Sequence, residues 1–258
     1  MAMTDRQEAR TVVVESTAEE ATQLVAKLFE SIICEAAAAR GACHLALAGG
    51  TTPHRLYQYL AAKGASGRVP WEEARVFFGD ERDVPHDHVE SNYGMTQRTL
   101  LDHVPIPPSR IHPMPADADD LAAAAAAYER TIRTFVPAGP DGVPQFDLIL
   151  LGMGGDGHVA SLFPSIEPAA EEGRLVQACF VPVLGRHRMT FTFTLINAAR
   201  NVILLVTGSD KADAVAGVLG DDEAAKRRLP GAAVVPKDGK LFMVLDAPAA
   251  SRAGLKSS

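Results

Sequence analysis

A glycine-rich run carries the most informative titratable side chain of the sequence. Residues 152–158 read Gly-Met-Gly-Gly-Asp-Gly-His and follow an apolar segment. Glycine lets backbone N–H groups approach a ligand closely, and histidine, with an unperturbed pKa of about 6.5, carries protons near neutral pH. We predict that His158 acts as an acid–base group at the rim of a glycine-lined pocket that includes Gly154. Asp156 either orients the imidazole or completes the hydrogen bonding of the loop.

Two other kinds of site match this run only in part. Three of its glycines satisfy the dinucleotide-binding pattern G-x-G-x-x-G, but that pattern needs a long helix, and Pro164 ends any helix within about two turns. Ser161 lies close by, yet no G-x-S-x-G nucleophile elbow occurs in the chain. The sequence therefore disfavours a nicotinamide site and a nucleophilic serine. It favours direct attack by a water molecule that His158 deprotonates.

A second glycine run, Gly49-Gly50-Thr51-Thr52-Pro53, follows another apolar segment and precedes an amphipathic one. A helix N-terminus offers unpaired N–H donors and partial positive charge, and threonine hydroxyls add further donors, so the run suits a phosphate. A tight strand-to-helix turn capped by Thr52 explains the same residues equally well. On this segment alone both interpretations stay open.

Charged residues stand at three further positions next to predicted strands. The chain holds 25 Lys and Arg against 32 Asp and Glu, a formal net charge of −7, so a small anion needs a local positive site. We predict such a phosphate site around Arg188, within Arg-His-Arg at 186–188, and Lys211, which follows Gly-Ser at 208–209. Asp80 and Arg82 follow the strand that ends at residue 78, where a ligand crevice is expected.

The composition excludes several classes of protein. At 47% hydrophobic and 22% charged residues the chain is typical of a globular protein, and its longest apolar runs, such as 121–128, are too short to span a bilayer. The only basic block, at 226–228, is too short to indicate a nucleic-acid binder. The start has no secretory signal, and three cysteines without a C-x-x-C pair argue against disulfides and thiolate zinc. His-Asp-His at 86–88 lacks a third spaced ligand, so we predict no metal site and a cytoplasmic location.

Strand-like and helix-like segments alternate along the whole chain. We predict a mainly parallel sheet covered by helices on both faces, in a single domain of residues 1–258 with flexible ends at 1–10 and 250–258. Ligands in such folds bind beyond the carboxyl ends of the strands. The predicted strands are 11–15, 44–48, 75–78, 146–151, 189–195, 201–206 and 241–245; the predicted helices are 17–39, 91–103, 117–135 and 209–219, with 104–115 irregular.

The ordered set of these motifs resembles the 6-phosphogluconolactonase family over about residues 44–246. The resemblance implies a Rossmann-like α/β fold, shared with glucosamine-6-phosphate deaminase. It also implies a cofactor-independent hydrolysis of 6-phospho-D-glucono-1,5-lactone in the oxidative pentose phosphate pathway. The matching segments are 49–53, 80–82 with 91–94, 152–158 running on through 161–164, 188–190, 208 with 211, 229–230 and 246.

Residue by residue, the resemblance makes His158 the acid–base residue and places Asp80 and Arg82 near the sugar ring. Ala48, where the family often has serine, and Gly155, where it often has proline, depart from the pattern and put loop geometry in doubt more than activity. The substrate-binding and phosphate-binding set that the resemblance implies is Gly49, Gly50, Thr51, Thr52, Asn92, Gly154, Asp156, Arg188 and Lys211.

Two alternatives remain beside a lactonase whose partner is a phosphorylated sugar lactone. A glucosamine-6-phosphate deaminase tends to have Asp-Glu-Tyr where this chain has Asp-Glu-Arg at 80–82, and Phe-Asn-Glu-Pro where it has Ser-Leu-Phe-Pro at 161–164. The missing carboxylate matters because the isomerase must abstract a proton from carbon. A non-catalytic sugar-phosphate sensor needs the glycine loop and cations but no exposed histidine. The oligomeric state has no signal in the sequence.

Overall fold

Alternating strands and helices build a parallel sheet in the computed structural model, which describes residues 10–64, 69–164 and 173–255. The strands within these residues are β1 (Arg10–Glu15), β2 (Cys43–Leu47), β3 (Ala74–Phe78), β4 (Asp80–Arg82), β5 (Leu148–Leu151), β6 (Val176–Val181), β7 (Arg186–Phe191), β8 (Asn201–Val206) and β9 (Lys240–Asp246). The helices are α1 (Ala18–Arg40), α2 (Thr51–Gly64), α3 (Asn92–Thr99), α4 (Leu121–Phe135), α5 (Phe193–Ile196), α6 (Ala212–Leu219), α7 (Glu223–Lys226) and α8 (Ala247–Ala250).

The central sheet of the described residues has six parallel strands in the order β1-β9-β8-β5-β2-β3, flanked by helices. Every residue of β2 and β5 is buried, as expected for strands covered on both faces. The predicted mainly parallel α/β fold is confirmed. Because the strands are parallel, the segments after β2, β3, β5 and β8 meet at one edge of the sheet.

A small antiparallel sheet, absent from the prediction, joins this edge. Its order is β4-β7-β6, with Asp80 opposite Thr190 and Arg82 opposite Arg188. Gly79 lies between β3 and β4 and connects the two sheets, since its N–H donates to the carbonyl of Leu47 and its carbonyl accepts the N–H of Phe191. The chain therefore turns from the central sheet directly into the residues that were expected to bind a ligand.

Several predicted helices begin or end at other residues. The predicted start of α1 is confirmed, with a capping box between Thr17 and Glu20. The helix predicted from 117 begins at Leu121, because the carboxylate of Asp120 caps it by accepting the N–H of Ala123. The helix predicted over 91–103 is α3 followed by a 3₁₀ turn at 101–103, and the one predicted over 209–219 opens with a 3₁₀ turn at 209–211.

The strand predicted over 189–195 is wrong in its second half. The strand ends at Phe191, and α5 follows, with the N–H of Ile196 bonded to the carbonyl of Thr192. The hydroxyl of Thr192 is satisfied by the carbonyl of Arg174, so the threonine tolerates a buried position outside a sheet. The alternation of polar and apolar residues that predicted a strand therefore continues beyond the end of β7 into α5.

The ends of the chain are described only in part. Residues 1–9 and 256–258 lie outside the described residues, so most of the predicted flexible ends is not described. Ala250 is buried at the end of α8, whose first turn is capped by the carboxylate of Asp246. In the described ranges, no helix has both the length and the apolarity that crossing a membrane requires.

Candidate active site

A cavity of about 220 Å³ opens at the carboxyl edge of the central sheet. The loops after β2, β3, β5 and β8 all contribute to it, which is the edge that the strand pattern predicted. The lining residues are 48–53, 80, 82, 92, 152–154, 158, 160, 205–207 and 211.

His158 lies in the wall of this cavity and is held on two sides. Its Nδ1 is 2.6 Å from Oδ1 of Asp156, and its ring stacks on Phe163 with 4.2 Å between the centroids. The side chain of His158 keeps 31% exposure. A carboxylate at Nδ1 places the proton on that nitrogen and leaves Nε2 as the acceptor. The imidazole is therefore held in a fixed orientation in the cavity lining, with Nε2 as its acceptor nitrogen.

Asp156 serves both roles that the sequence left open. Its Oδ1 binds the imidazole and also accepts the backbone N–H of His158, at 3.1 Å. Burial alone raises the pKa of this carboxyl, but the backbone hydrogen bond and the imidazole outweigh it and hold the pKa below its usual range. Asp156 is therefore a carboxylate at neutral pH and remains the partner of the ring.

Gly154 makes room for the imidazole. A Cβ atom at this position would lie 2.2 Å from Cε1 and Nδ1 of His158 and 2.7 Å from Oδ1 of Asp156. These separations are far below a van der Waals contact, so any other residue here would displace the ring. The glycine of the predicted pocket thus acts through close packing.

Asp80 also lines the cavity and is fixed by two side chains. Its Oδ2 accepts the hydroxyl of Ser161 at 2.7 Å, and its Oδ1 accepts Nδ2 of Asn92 at 3.2 Å. Nδ2 of Asn92 also donates to the backbone carbonyl of Asp80, at 2.9 Å. Ser161 is buried and donates its hydroxyl proton to Asp80.

Glu81, next to Asp80, is completely buried. It accepts hydrogen bonds from the backbone N–H groups of Arg82, Asn92 and Tyr93 and from the hydroxyl of Ser91. Burial raises its pKa, although these backbone hydrogen bonds oppose the rise. Sequence reasoning missed this residue, because a strand of three residues is too short to show which side chain points inward.

The glycine–threonine turn closes the cavity on the side of α2. Thr52 Oγ1 lies 3.0 Å from Oγ1 of Thr207, which joins the first turn of α2 to the loop after β8. Lys211 also lines the cavity, and its Nζ is 2.8 Å from Oδ2 of Asp210. Thr207 was not singled out from the sequence, although its place directly after a predicted strand was a usable signal. Hydroxyls, a cation and a helix N-terminus together form a site suited to phosphate.

The predicted arginine cluster is divided by the structure. Arg186 forms ion pairs with Glu90 at 2.7 Å and Asp83 at 3.2 Å. Arg188 pairs across the strands with Arg82, and its guanidinium donates to the carbonyl of His187. Of the three arginines, only Arg82 belongs to the lining of the cavity, and Arg188 lies 3.7 Å from the carboxylate of Asp83.

The histidines at 86–88 have other partners. Nε2 of His86 is 2.9 Å from the carbonyl oxygen of Met114, and Nδ1 of His88 is 3.8 Å from the carboxylate of Glu90. Across the described part of the chain, no three His, Cys, Asp or Glu side chains are grouped so as to hold a metal ion.

Comparison with known proteins identifies the family to which this fold and these motifs belong. Residues 16–243 match the family described as glucosamine-6-phosphate isomerases/6-phosphogluconolactonase. The chain belongs to this family. The resemblance that the motifs indicated is thereby confirmed.

Relatives and solved structures agree on the branch of the family. A 6-phosphogluconolactonase from Synechocystis sp. is 42% identical over 83% of this chain and 86% of its own length, and one from Mycobacterium tuberculosis is 40% identical over 84% and 87%. The structure of 6-phosphogluconolactonase from Trypanosoma brucei superposes with a TM-score of 0.80, at 30% identity, covering 94% of this chain and 98% of the other. A monomeric glucosamine-6-phosphate deaminase has the same fold, with a TM-score of 0.77 and 22% identity, over 94% of this chain and 99% of that one.

Most of the site residues predicted from the family resemblance meet at one cavity. The lining contains ten of the twelve: Gly49, Gly50, Thr51, Thr52, Asp80, Arg82, Asn92, Gly154, His158 and Lys211. Asp156 and Arg188 are outside the lining, the first bonded to His158 and the second paired with Arg82. Ala48, the first departure from the family pattern, lines the cavity, and Gly155, the second, packs against the carbonyl of Asp210.

Proposed function

We propose that this chain hydrolyses 6-phospho-D-glucono-1,5-lactone to 6-phospho-D-gluconate in the oxidative pentose phosphate pathway. Relatives named 6-phosphogluconolactonase that match 83–88% of the chain support the reaction. The observation that carries the chemistry is the contact between His158 and Asp156 at the cavity wall, with Lys211 and the glycine–threonine turn lining the same cavity.

His158 is the general base of the proposed reaction. Its neutral Nε2 takes a proton from water as the water oxygen attacks the lactone carbonyl. The imidazolium then returns the proton to the ring oxygen as the C1–O bond breaks, which yields the open acid. Asp156 stabilises the transient positive charge on the ring. Acid–base catalysis of this kind supplies about 10²–10⁴ in rate.

The phosphate of the substrate fixes its position. It carries about −1.5 to −2 charges at neutral pH, which Lys211, the hydroxyl of Thr52 and the N-terminus of α2 can bind together. Binding energy at this remote group then holds C1 near His158. The net charge of −7 makes this local cluster of donors necessary for an anionic substrate.

Asp80 and Arg82 face the sugar in this proposal. The carboxylate of Asp80, held by Ser161 and Asn92, is positioned to accept hydrogen bonds from ring hydroxyls. The guanidinium of Arg82 donates to the carbonyl of Glu90, and this cation and the N–H groups of the glycine loop are the two candidates for stabilising the oxyanion.

The test is release of protons after freshly prepared lactone is added, corrected for spontaneous ring opening. We expect rapid release with the wild-type protein and a fall in kcat of about 10²–10⁴ for His158→Ala, with KM little changed. His103→Ala, at an exposed histidine outside the cavity lining, is the matched control and retains activity. Unchanged turnover in His158→Ala would remove the histidine from the mechanism. Release of ammonia from glucosamine 6-phosphate would instead assign the chain to the isomerase branch.

A cytoplasmic site of action belongs to the same proposal. Cys34, Cys43 and Cys179 are free thiols, as expected in a reducing compartment. Fractionation of the source cells, followed by immunodetection, tests this location.

A further inference from the structure

Glu81 is a buried carboxylate that is held by hydrogen bonds alone. It has no exposed surface, and none of the ion pairs among the described residues includes it. An ionised carboxylate in such a place is retained only when its lone pairs are fully used. The mechanism proposed above does not use Glu81, so its burial calls for another explanation.

The donors to Glu81 come mainly from the start of α3. Oε1 accepts the N–H of Asn92 at 2.7 Å, and Oε2 accepts the N–H of Tyr93 and the hydroxyl of Ser91 at 2.8 and 3.0 Å. Ser91 in turn caps the N–H of Gly94 at 3.0 Å. The first N–H groups of the helix, which otherwise lack partners, are thus satisfied by Glu81 and its neighbour Ser91. The negative charge also stabilises the positive end of the helix.

Asn92, the first residue of α3, connects two parts of the cavity wall. Its Nδ2 binds the carbonyl and carboxylate of Asp80, while its Oδ1 packs against Gly49, where a Cβ atom would lie 1.6 Å from it. Oδ1 of Asn92 is buried and has no hydrogen-bond partner among the described residues. The amide of Asn92 is therefore held through its Nδ2 contacts to Asp80 and through the helix backbone, whose N–H at Asn92 is bonded to Glu81.

We infer that Glu81 is a positioning residue of the site: its carboxylate ties the start of α3 to β4 and so keeps Asn92 and Asp80 at the sugar-facing wall. The kinetic consequences rest on the function proposed above. The phosphate end of the cavity is built by α2 and the loop after β8, and none of the hydrogen bonds that Glu81 accepts comes from these two elements. Loss of Glu81 therefore disturbs the reacting end of the substrate and spares the binding of phosphate.

Glu81→Gln tests the inference with little change in volume. Each carboxylate oxygen of Glu81 accepts two hydrogen bonds. In the glutamine variant an NH₂ group replaces one of these oxygens. In either orientation of the amide, this NH₂ group faces at least one backbone N–H and cannot accept its hydrogen bond. We expect kcat to fall by about tenfold to a hundredfold, the range for small displacements in an active site. The inhibition constant of inorganic phosphate, which probes the other end of the cavity, should stay within about twofold. Should this variant fail to fold, Glu81→Asp, which keeps the charge but shortens the reach, is expected to lower kcat in the same way.

Asp147→Asn is the matched control for removing a buried carboxylate. Asp147 is 2% exposed, and it accepts the N–H of His44 and pairs with Arg40, away from the cavity. This control should lower the Tm and leave kcat within about twofold of wild type. The inference is overturned if folded Glu81→Gln, or the Asp variant in its place, keeps wild-type kcat. It is also overturned if phosphate affinity and kcat fall together, as in a generally loosened protein.

A second readout does not depend on turnover. In the wild-type protein the buried side-chain amide of Asn92 should exchange its protons slowly in NMR spectra, and Glu81→Gln should accelerate the exchange. Equal protection in both proteins would overturn the inference. If the wild type opened no lactone while exchange still accelerated, the proposed function alone would fail and the positioning role would stand.

Discussion

Oδ1 of Asp156 makes two contacts with His158: it accepts the backbone N–H at 3.1 Å and lies 2.6 Å from Nδ1 of the ring. Both contacts lie within one loop, so the pairing of these two side chains is set by local backbone geometry. Phe163, from the same segment of the chain, adds a stacking contact to the ring.

Asp156→Asn should lower kcat by about tenfold to a hundredfold and leave KM nearly unchanged. The amide no longer stabilises the imidazolium, and its NH₂ group can hold the wrong tautomer of His158. The fall should be smaller than that of His158→Ala, since the base itself remains. Asp141→Asn, at an exposed carboxylate that pairs with Lys237, serves as the control with wild-type rates. Equal kcat for Asp156→Asn and wild type in the lactone assay would contradict the orienting role.

Gly154→Ala should reduce kcat by about a hundredfold, because the added methyl group overlaps the imidazole of His158. Gly79→Ala is a control from the neighbouring loop, since a Cβ there meets only the carbonyl of Leu47 at 3.7 Å. Circular dichroism should report folded protein for both variants. Full activity of Gly154→Ala would mean that the ring has another productive position.

Lys211→Gln should raise KM by about tenfold, with a smaller change in kcat, because it removes a charge-assisted contact to the phosphate. Arg188→Gln should raise KM less, since Arg188 is outside the cavity lining. Steady-state kinetics with inorganic phosphate as a competing inhibitor compare the two directly. A larger effect at Arg188 would place the phosphate on the β7 side of the cavity.

His112 should make the protein less stable in weak acid. Burial, and then the nearby charge of Arg75, lower its pKa from 6.5 to about 4 in the folded state. Between these two values the unfolded chain binds the extra proton, so the contribution of His112 to stability is present above pH 6.5 and is lost as the pH falls toward about 4. His112→Phe keeps the stacking on Phe77 and Phe135 and should show a smaller drop in Tm from pH 7 to pH 5. A drop as large as in the wild type would assign the acid sensitivity to other groups.

Sequence patterns predicted the central sheet well because its inner strands β2, β5 and β8 are buried almost throughout. The run 201–206 is the strand β8 without any shift, and the apolar runs of β2 and β5 were found within two residues of their ends. The antiparallel sheet was missed because β4 has three residues and its partner β7 begins with charged side chains. Register between distant strands leaves no local trace in the sequence.

The candidate site was predicted to a similar extent and for related reasons. Glycine runs and charged residues directly after predicted strands identified the lining, because parallel strands bring such segments together. The roles of Glu81 and Thr207 depend on packing between separate elements, and no spacing in the chain records it. The same holds for Arg186, whose ion pairs with Asp83 and Glu90 are formed across strands and loops.

The pairing of β1 with β9 joins the earliest strand of the sheet to the last one. Arg10 is opposite Leu241 and Glu15 is opposite Asp246. At about 5–20 residues per second, a ribosome needs on the order of 10–50 s between these two segments. During that time β1 cannot pair with β9, so its valines remain accessible to chaperones and to other nascent chains. Completion of the sheet, and with it a finished enzyme, therefore comes only after the final strand has left the exit tunnel.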